Sequence, residues 1–213
     1  MYTYIHSVKV REIYHRLLNQ KNTKRYLGEL KEHHRETYDH SLRVAKLSID
    51  LALENRLPIR TVKTIGRAAL LHDYGKSRID EEILSKRGPL DEGELALMKR
   101  HPRLGLVELE KFLTHEVRKI IISHHEFKAE PYPRTVHERR ENIRLAPKDR
   151  RKQLSNPLTQ IVAAADMYDA LSFSRSYKES FPPFKVKQIM LEQFTGHPSL
   201  INQLFKRVLQ KAA

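Results

Sequence analysis

Histidine and aspartate residues recur along the chain within apolar segments or at their ends. His72 and Asp73 are adjacent in LLHDYGK, and His124 and His125 are adjacent in ISHHE. Imidazole nitrogens and carboxylate oxygens bind divalent metal ions, whereas the absence of cysteine excludes thiolate sites and disulfides. Each pair alone fits a polar helix end as well as a metal site, and both interpretations stay open at this point.

Three further positions carry candidate ligands. His40 lies in ETYDHSLRVA, four residues after Glu36 and on the same face of a predicted helix. His101 opens another predicted helix, where a polar residue is also common. Asp166 lies among Ala and Val in QIVAAADMYDAL, where a buried carboxylate without a partner would be costly. Each residue alone has a structural alternative, but the ordered series H…HD…H…HH…D favours a metal centre.

The segments that carry these residues have apolar side chains at helical spacing. Seven glycines and widely spaced turn signals favour helices over a sandwich or barrel. The pattern predicts a short helical turn at 26–30 and longer helices over 8–18, 37–53, 59–72, 116–124, 158–173, 184–194 and 199–210. Asp91 and Glu94 form a predicted capping box, and a further helix begins at His101. The predicted fold class is all-α.

The composition restricts the function classes. A chain of 213 residues is long enough for one large domain, or for one domain with a small appendage. No apolar run reaches membrane-spanning length and no signal peptide is present, so we expect a cytoplasmic protein. The net charge of +14 indicates either a surface that binds polyanions or a surface whose charges only keep the protein soluble. Nucleic-acid binding is a weak hypothesis, because no aromatic residues interleave with the basic run at 139–152.

The ordered series and its surroundings resemble the HD superfamily of metal-dependent phosphohydrolases. Within it the sequence is most similar to the HD-GYP type, which hydrolyses the bacterial signalling messenger cyclic di-GMP. The likeness runs over about 36–209 and includes HSLRVA, AALLHDYGK, EEILSKRGPLDEGELALMKRHPRLG, ISHHE, IVAAADMYDAL and SRSYK. It implies an HD-domain helical bundle over 36–213, with a dinuclear or trinuclear metal centre in its core, preceded by an N-terminal helical extension over 1–35.

The resemblance also implies metal ligands. One ion would be held by His40, His72, Asp73 and Asp166. A second ion, sharing the bridging aspartate, would be held by His101, His124, His125 and Asp73. Glu36 matches a position that helps to hold a third ion in some members. The resemblance favours two or three divalent ions of iron or manganese, and zinc also suits this ligand set.

The implied reaction is hydrolysis of cyclic di-GMP to the linear dinucleotide or GMP. Two cations would lower the pKa of a bridging water and neutralise the phosphodiester, so that the resulting hydroxide attacks. Asp73 and Lys76 are the catalytic candidates. The substrate-binding candidates are Lys76, Tyr132, Arg175 and Lys178. For Lys76, Arg175 and Lys178 the alternative is a solvated basic face.

One segment departs from the family pattern. HHE is normally followed by a glycine-rich segment ending in Gly-Tyr-Pro, whereas here FKAEPYP follows, with Pro131 in place of the last glycine. Proline fixes φ and removes a donor, so we expect a lid of different shape. The alternatives are a nucleotide-sensing or partner-binding module without turnover, and an HD phosphohydrolase for another nucleotide. A homodimer and a separate signalling domain are further candidate partners.

Overall fold

The computed structural model describes residues 2–130, 157–173 and 180–211. Within these ranges the regular elements are helical, which confirms the all-α class. The α-helices are α1 (Tyr2–Leu18), α2 (Lys21–His33), α3 (Arg35–Glu54), α4 (Ile59–Leu71), α5 (Glu81–Leu84), α6 (Glu92–Met98), α7 (His101–Leu109), α8 (His115–Ser123), α9 (Pro157–Ser172), α10 (Pro183–Gln193) and α11 (Ser199–Lys211). Short 3-10 helices span Tyr74–Arg78 and Glu110–Phe112.

Helices α3 and α4 form the centre of the bundle. They pack against each other, and α1, α2, α8 and α9 pack around them. Their facing surfaces carry fully buried apolar side chains such as Val44, Ile49 and Ile65. Burial of this apolar surface is the main force that holds the helices together, and it places the middle of α3 and the end of α4 inside the molecule.

The predicted helices agree with the structure in position, with two differences in length. Helix α1 begins at Tyr2, and the short turn predicted at 26–30 is part of the 13-residue helix α2. The capping box is confirmed, because Asp91 Oδ1 accepts from the Glu94 amide at 2.8 Å and Glu94 Oε2 accepts from the Asp91 amide at 2.8 Å. No helix in the described part of the chain is both long and apolar enough to cross a membrane.

Helices α1 and α2 contribute to the same core as the rest of the bundle. Leu17 of α1 and Leu27 and Leu30 of α2 belong to the apolar cluster that also contains Ile49 of α3. The boundary expected after residue 35 therefore separates segments that share a core, and it stays a prediction.

Gly75 allows the chain to leave α4 in close contact with α7. It lies in the 3-10 helix that follows Asp73, directly against the backbone of His101 and Gly105. A Cβ on Gly75 would overlap the His101 carbonyl and would lie 2.5 Å from the Gly105 amide nitrogen. This approach brings Asp73 Oδ1 to 3.2 Å from His101 Nε2.

We expect Gly75→Ala to lower the free energy of unfolding by about 3 kcal/mol, because the added methyl group meets backbone that cannot move aside alone. Gly28→Ala is the matched control, since no atom lies within 4 Å of a Cβ at that helical position. The control should raise stability by about 0.5–1 kcal/mol. Urea denaturation of both variants measures the difference, and equal stabilities would contradict the close-approach explanation.

Candidate metal centre

The candidate ligands come from five helices whose ends or middles meet in the core. His40 lies in the second turn of α3 and Asp166 in the middle of α9. His101 is the first residue of α7. The remaining ligands directly follow helices, α4 in the case of His72 and Asp73 and α8 in the case of His124 and His125. All seven residues are buried, with at most 8% exposure.

One group of these side chains surrounds His40. Its Nε2 lies 3.1 Å from Asp166 Oδ1 and 3.6 Å from Asp73 Oδ2. The Nε2 of His72 lies 3.5 Å from Asp73 Oδ2 and 4.0 Å from Asp166 Oδ1. Ligand atoms from His40, His72 and Asp166 are all within 4.8 Å of one another, which is close enough to hold one ion.

A second group surrounds His101. Its Nε2 lies 3.3 Å from the Nε2 atoms of both His124 and His125. Asp73 Oδ1 lies 3.2 Å from the same His101 nitrogen, while Asp73 Oδ2 faces the first group. Asp73 is therefore the carboxylate that lies between the two groups and faces both.

Hydrogen bonds fix which ring nitrogens face inward. The Nδ1 of His72 donates to Ala69 O at 2.8 Å. Two other histidines also donate through Nδ1 to the carbonyl three residues earlier. His101 donates to Met98 O at 2.8 Å, and His124 donates to Ile121 O at 2.6 Å. A neutral imidazole that donates through Nδ1 presents an unprotonated Nε2, which is the form that binds metals.

This arrangement of lone pairs fits divalent cations. With neutral rings, the Nε2 lone pairs of His101 and His124 face each other at 3.3 Å and repel unless a cation lies between them. The Nε2 of His72 and Oδ2 of Asp166 are buried and have no hydrogen-bond partner among the described residues. Buried polar atoms of this kind are costly, and a metal ion satisfies them. Nitrogen and oxygen ligands without sulfur suit iron, manganese or zinc.

The electrostatics keep the ligands in the forms that bind metal. Burial lowers the pKa of His72, and burial together with the neighbouring histidines holds the pKa of His124 well below its usual range. At Asp73 burial opposes ionisation, yet Lys76 and the adjacent histidines hold the pKa well below the usual value. The pKa of Asp166 is likewise low, because Lys128 and the neighbouring histidines outweigh burial. These directions favour the neutral imidazole at His72 and His124 and the ionised carboxylate at Asp73 and Asp166.

Asp169 orients His40. Its Oδ2 accepts from His40 Nδ1 at 2.6 Å, and its two oxygens also accept from Arg43 at 2.7 and 2.9 Å. Asp169 is completely buried, and the Arg43 guanidinium also lies over the Phe173 ring. The sequence analysis did not select Asp169 as a site residue. Its position three residues after Asp166, on the same helix face, was the available signal for a role beside the site.

We expect Asp169→Asn to weaken metal binding by about 10–100-fold, as loss of a carboxylate partner of a ligating histidine generally does. The amide cannot accept equally well from both His40 and Arg43. Titration of metal-free protein with Mn²⁺ measures the change. The control is Asp50→Asn, because Asp50 lies near the other end of α3 and its carboxylate pairs with His6 of α1. An unchanged affinity in Asp169→Asn would show that Asp169 does not position His40.

Two lysines also reach the cluster. Lys76 Nζ lies 2.7 Å from Asp73 Oδ2, and Lys128 Nζ lies 3.6 Å from Asp166 Oδ2. Sequence reasoning identified Lys76 but did not select Lys128. Each carboxylate of the centre thus has an ammonium group beside it.

The structure brings together seven of the eight predicted ligands, and their role as ligands stays a prediction. Glu36 lies one turn before His40, is half-buried, and belongs to none of the close ligand groups found among the described residues. Three predicted substrate-binding residues lie outside the described residues, namely Tyr132, Arg175 and Lys178.

Known proteins match both the sequence and the fold. The model of the HD domain family matches residues 37–171, more than half of the chain. A cyclic di-GMP phosphodiesterase of Pseudomonas aeruginosa is 32% identical over 205 residues, covering 93% of this chain and 46% of that protein. A 3'3'-cGAMP-specific phosphodiesterase of Vibrio cholerae is 31% identical, covering 81% of this chain and 31% of that protein. The chain spans less than half the length of either relative.

A solved structure has a similar fold. The HD domain of the L. monocytogenes phosphodiesterase PgpH, in complex with cyclic-di-AMP, superimposes with a TM-score of 0.52 at 16% sequence identity. The match covers 87% of this chain and 84% of that chain. It agrees with the all-α arrangement of the described helices.

Proposed function

The chain belongs to the HD domain family, and from this membership we propose that it is a metal-dependent phosphodiesterase that hydrolyses cyclic di-GMP. The observation that carries the proposal is the pair of buried ligand groups on either side of Asp73. Burial of two carboxylates among unprotonated imidazoles is costly, and bound cations would offset that cost. Two groups that share one carboxylate form a centre for two cations that act on the same phosphodiester.

The side chains of the centre have different roles in the proposed reaction. The first ion would be held by His40, His72, Asp73 and Asp166, and the second by His101, His124, His125 and Asp73. Bound divalent cations would supply Lewis-acid chemistry, lowering the pKa of water and neutralising phosphodiester charge. Lys76 holds a positive charge next to Asp73 and would bind a phosphate oxygen of the substrate. Glu36, one turn before His40, is the proposed ligand of a third ion.

The proposed substrate follows from the relatives and the charge of the site. Relatives named as phosphodiesterases for cyclic di-GMP and 3'3'-cGAMP support a cyclic dinucleotide. The net charge of +14 favours a dianionic substrate of this kind. We propose iron or manganese as the metal, because the ligands are imidazole and carboxylate and the family resemblance favours both.

A substrate panel tests the proposal. Protein loaded with Fe²⁺, Mn²⁺ or Zn²⁺ is incubated with cyclic di-GMP, 3'3'-cGAMP and cyclic di-AMP, and linear dinucleotides and mononucleotides are separated by chromatography. We expect linear product or GMP from cyclic di-GMP. Product from 3'3'-cGAMP or cyclic di-AMP alone would overturn cyclic di-GMP as the proposed substrate. Bound metal and bound nucleotide without any product would overturn the enzyme proposal in favour of a sensing module.

A further inference from the structure

Lys128 places an ammonium group beside the carboxylate of Asp166. Its Nζ lies 3.6 Å from Asp166 Oδ2, and the lysine side chain is 26% exposed whereas that of Asp166 is 7% exposed. The lysine side chain is thus partly open to solvent beside an almost fully buried carboxylate. An incoming anion that approaches Asp166 from this side meets the ammonium group first.

The backbone of Lys128 is held in place by the segment between α10 and α11. Lys128 forms an isolated antiparallel bridge with Phe194. The Ala129 amide donates to Gln193 O at 2.8 Å, and the Thr195 amide donates to Phe127 O at 3.1 Å. These bonds on both sides of Lys128 fix its Cα beside the centre, while its four-carbon stem allows the ammonium group to change direction.

A metal ion and Lys128 compete for the carboxylate of Asp166. A divalent cation and an ammonium group repel each other when they share a carboxylate, and this repulsion is strong in a buried site. A cation held by Asp166 would therefore displace the ammonium group of Lys128 from Oδ2. A phosphate oxygen of the substrate is the anion that would next reach it, because a charge-assisted contact with phosphate suits a lysine.

We propose that Lys128 neutralises Asp166 in the metal-free protein and binds a phosphate oxygen of the substrate once a metal ion occupies that carboxylate. The second half rests on the proposed function. The first half concerns only this chain and its metal ions. Lys128 is thus a further substrate-binding residue, in the segment where the sequence departs from the family pattern.

Metal titration tests the first half. Lys128→Met keeps the length of the side chain and removes the competing charge, so metal-free Lys128→Met should bind Mn²⁺ about threefold to tenfold more tightly than the wild type. Lys187→Met, on the exposed face of α10, is the control for net charge. Equal affinity in Lys128→Met and Lys187→Met would overturn the exchange of partners.

Nucleotide binding tests the second half. The probe is a hydrolysis-resistant phosphorothioate analogue of cyclic di-GMP, titrated into Mn²⁺-loaded protein by calorimetry. We expect Lys128→Met to bind it about tenfold more weakly, Lys128→Arg to restore most of the affinity, and Lys187→Met to match the wild type. Unchanged binding in Lys128→Met would overturn the role of Lys128. Weakened binding together with no turnover by the wild type would retain this role and overturn the proposed hydrolysis.

Discussion

Asp73→Asn is expected to lose metal ions from both ligand groups and to lower the rate of hydrolysis at least about a thousandfold. Asp73 is the carboxylate whose two oxygens face His101 on one side and His40 and His72 on the other. Asparagine keeps the shape of the side chain but removes its charge and presents an amide group to unprotonated imidazoles. Both ions therefore lose a ligand through one substitution.

The comparison uses a second aspartate close in sequence. Asp80→Asn is the matched control, because Asp80 is exposed and its side chain does not cap the helix that follows. Metal content by mass spectrometry and initial rates with cyclic di-GMP are measured for both variants. An Asp73→Asn protein that keeps its ions and more than about a tenth of the wild-type rate would rule out the shared role of Asp73.

Removal of the metal ions by a chelator is expected to abolish hydrolysis and to lower the melting temperature by about 10 °C or more. An ion present at about a hundred times its Kd stabilises the folded state by about 2.7 kcal/mol, and two such ions add. For a chain of this size about 1 kcal/mol shifts the melting temperature by about 2–4 °C. The physical source is the cluster of inward lone pairs, which repel one another when no cation lies among them.

Differential scanning calorimetry with and without chelator measures this shift, and added Mn²⁺ should reverse it. Asp73→Asn provides the control, because a chain that no longer binds the ions should melt at nearly the same temperature with and without chelator. A wild-type protein that keeps its melting temperature and its activity after loss of all metal would contradict a metal centre in the core.

The positions of the candidate ligands could be predicted from sequence because they depend on local patterns. Asp166 is surrounded by Ala and Val at helical spacing, which indicates burial whatever the rest of the fold does. The helix ends at His72 and His124 follow from where the apolar spacing stops. That these ends meet in one cluster followed from the family resemblance, since spacing within a helix does not say which helices pack together.

Other features depend on contacts between distant segments and left little signal in the sequence. Lys128 reaches Asp166 because its backbone pairs with Phe194, which lies 66 residues further along the chain. The bond between His40 and Asp169 spans 129 residues. Helix α2 was predicted too short although Thr23, Tyr26, Leu27 and Leu30 have helical spacing and are buried. Gly28 and the many charged residues obscured that pattern, because glycine lowers helix propensity.

Metal analysis of protein purified without chelator is the most direct test of the metal centre. We expect two or three equivalents of iron or manganese per chain in the wild type, and fewer than one in Asp73→Asn. A wild-type content near zero, in protein that is folded and has been offered both metals, would contradict the assignment of the buried histidines and aspartates as ligands.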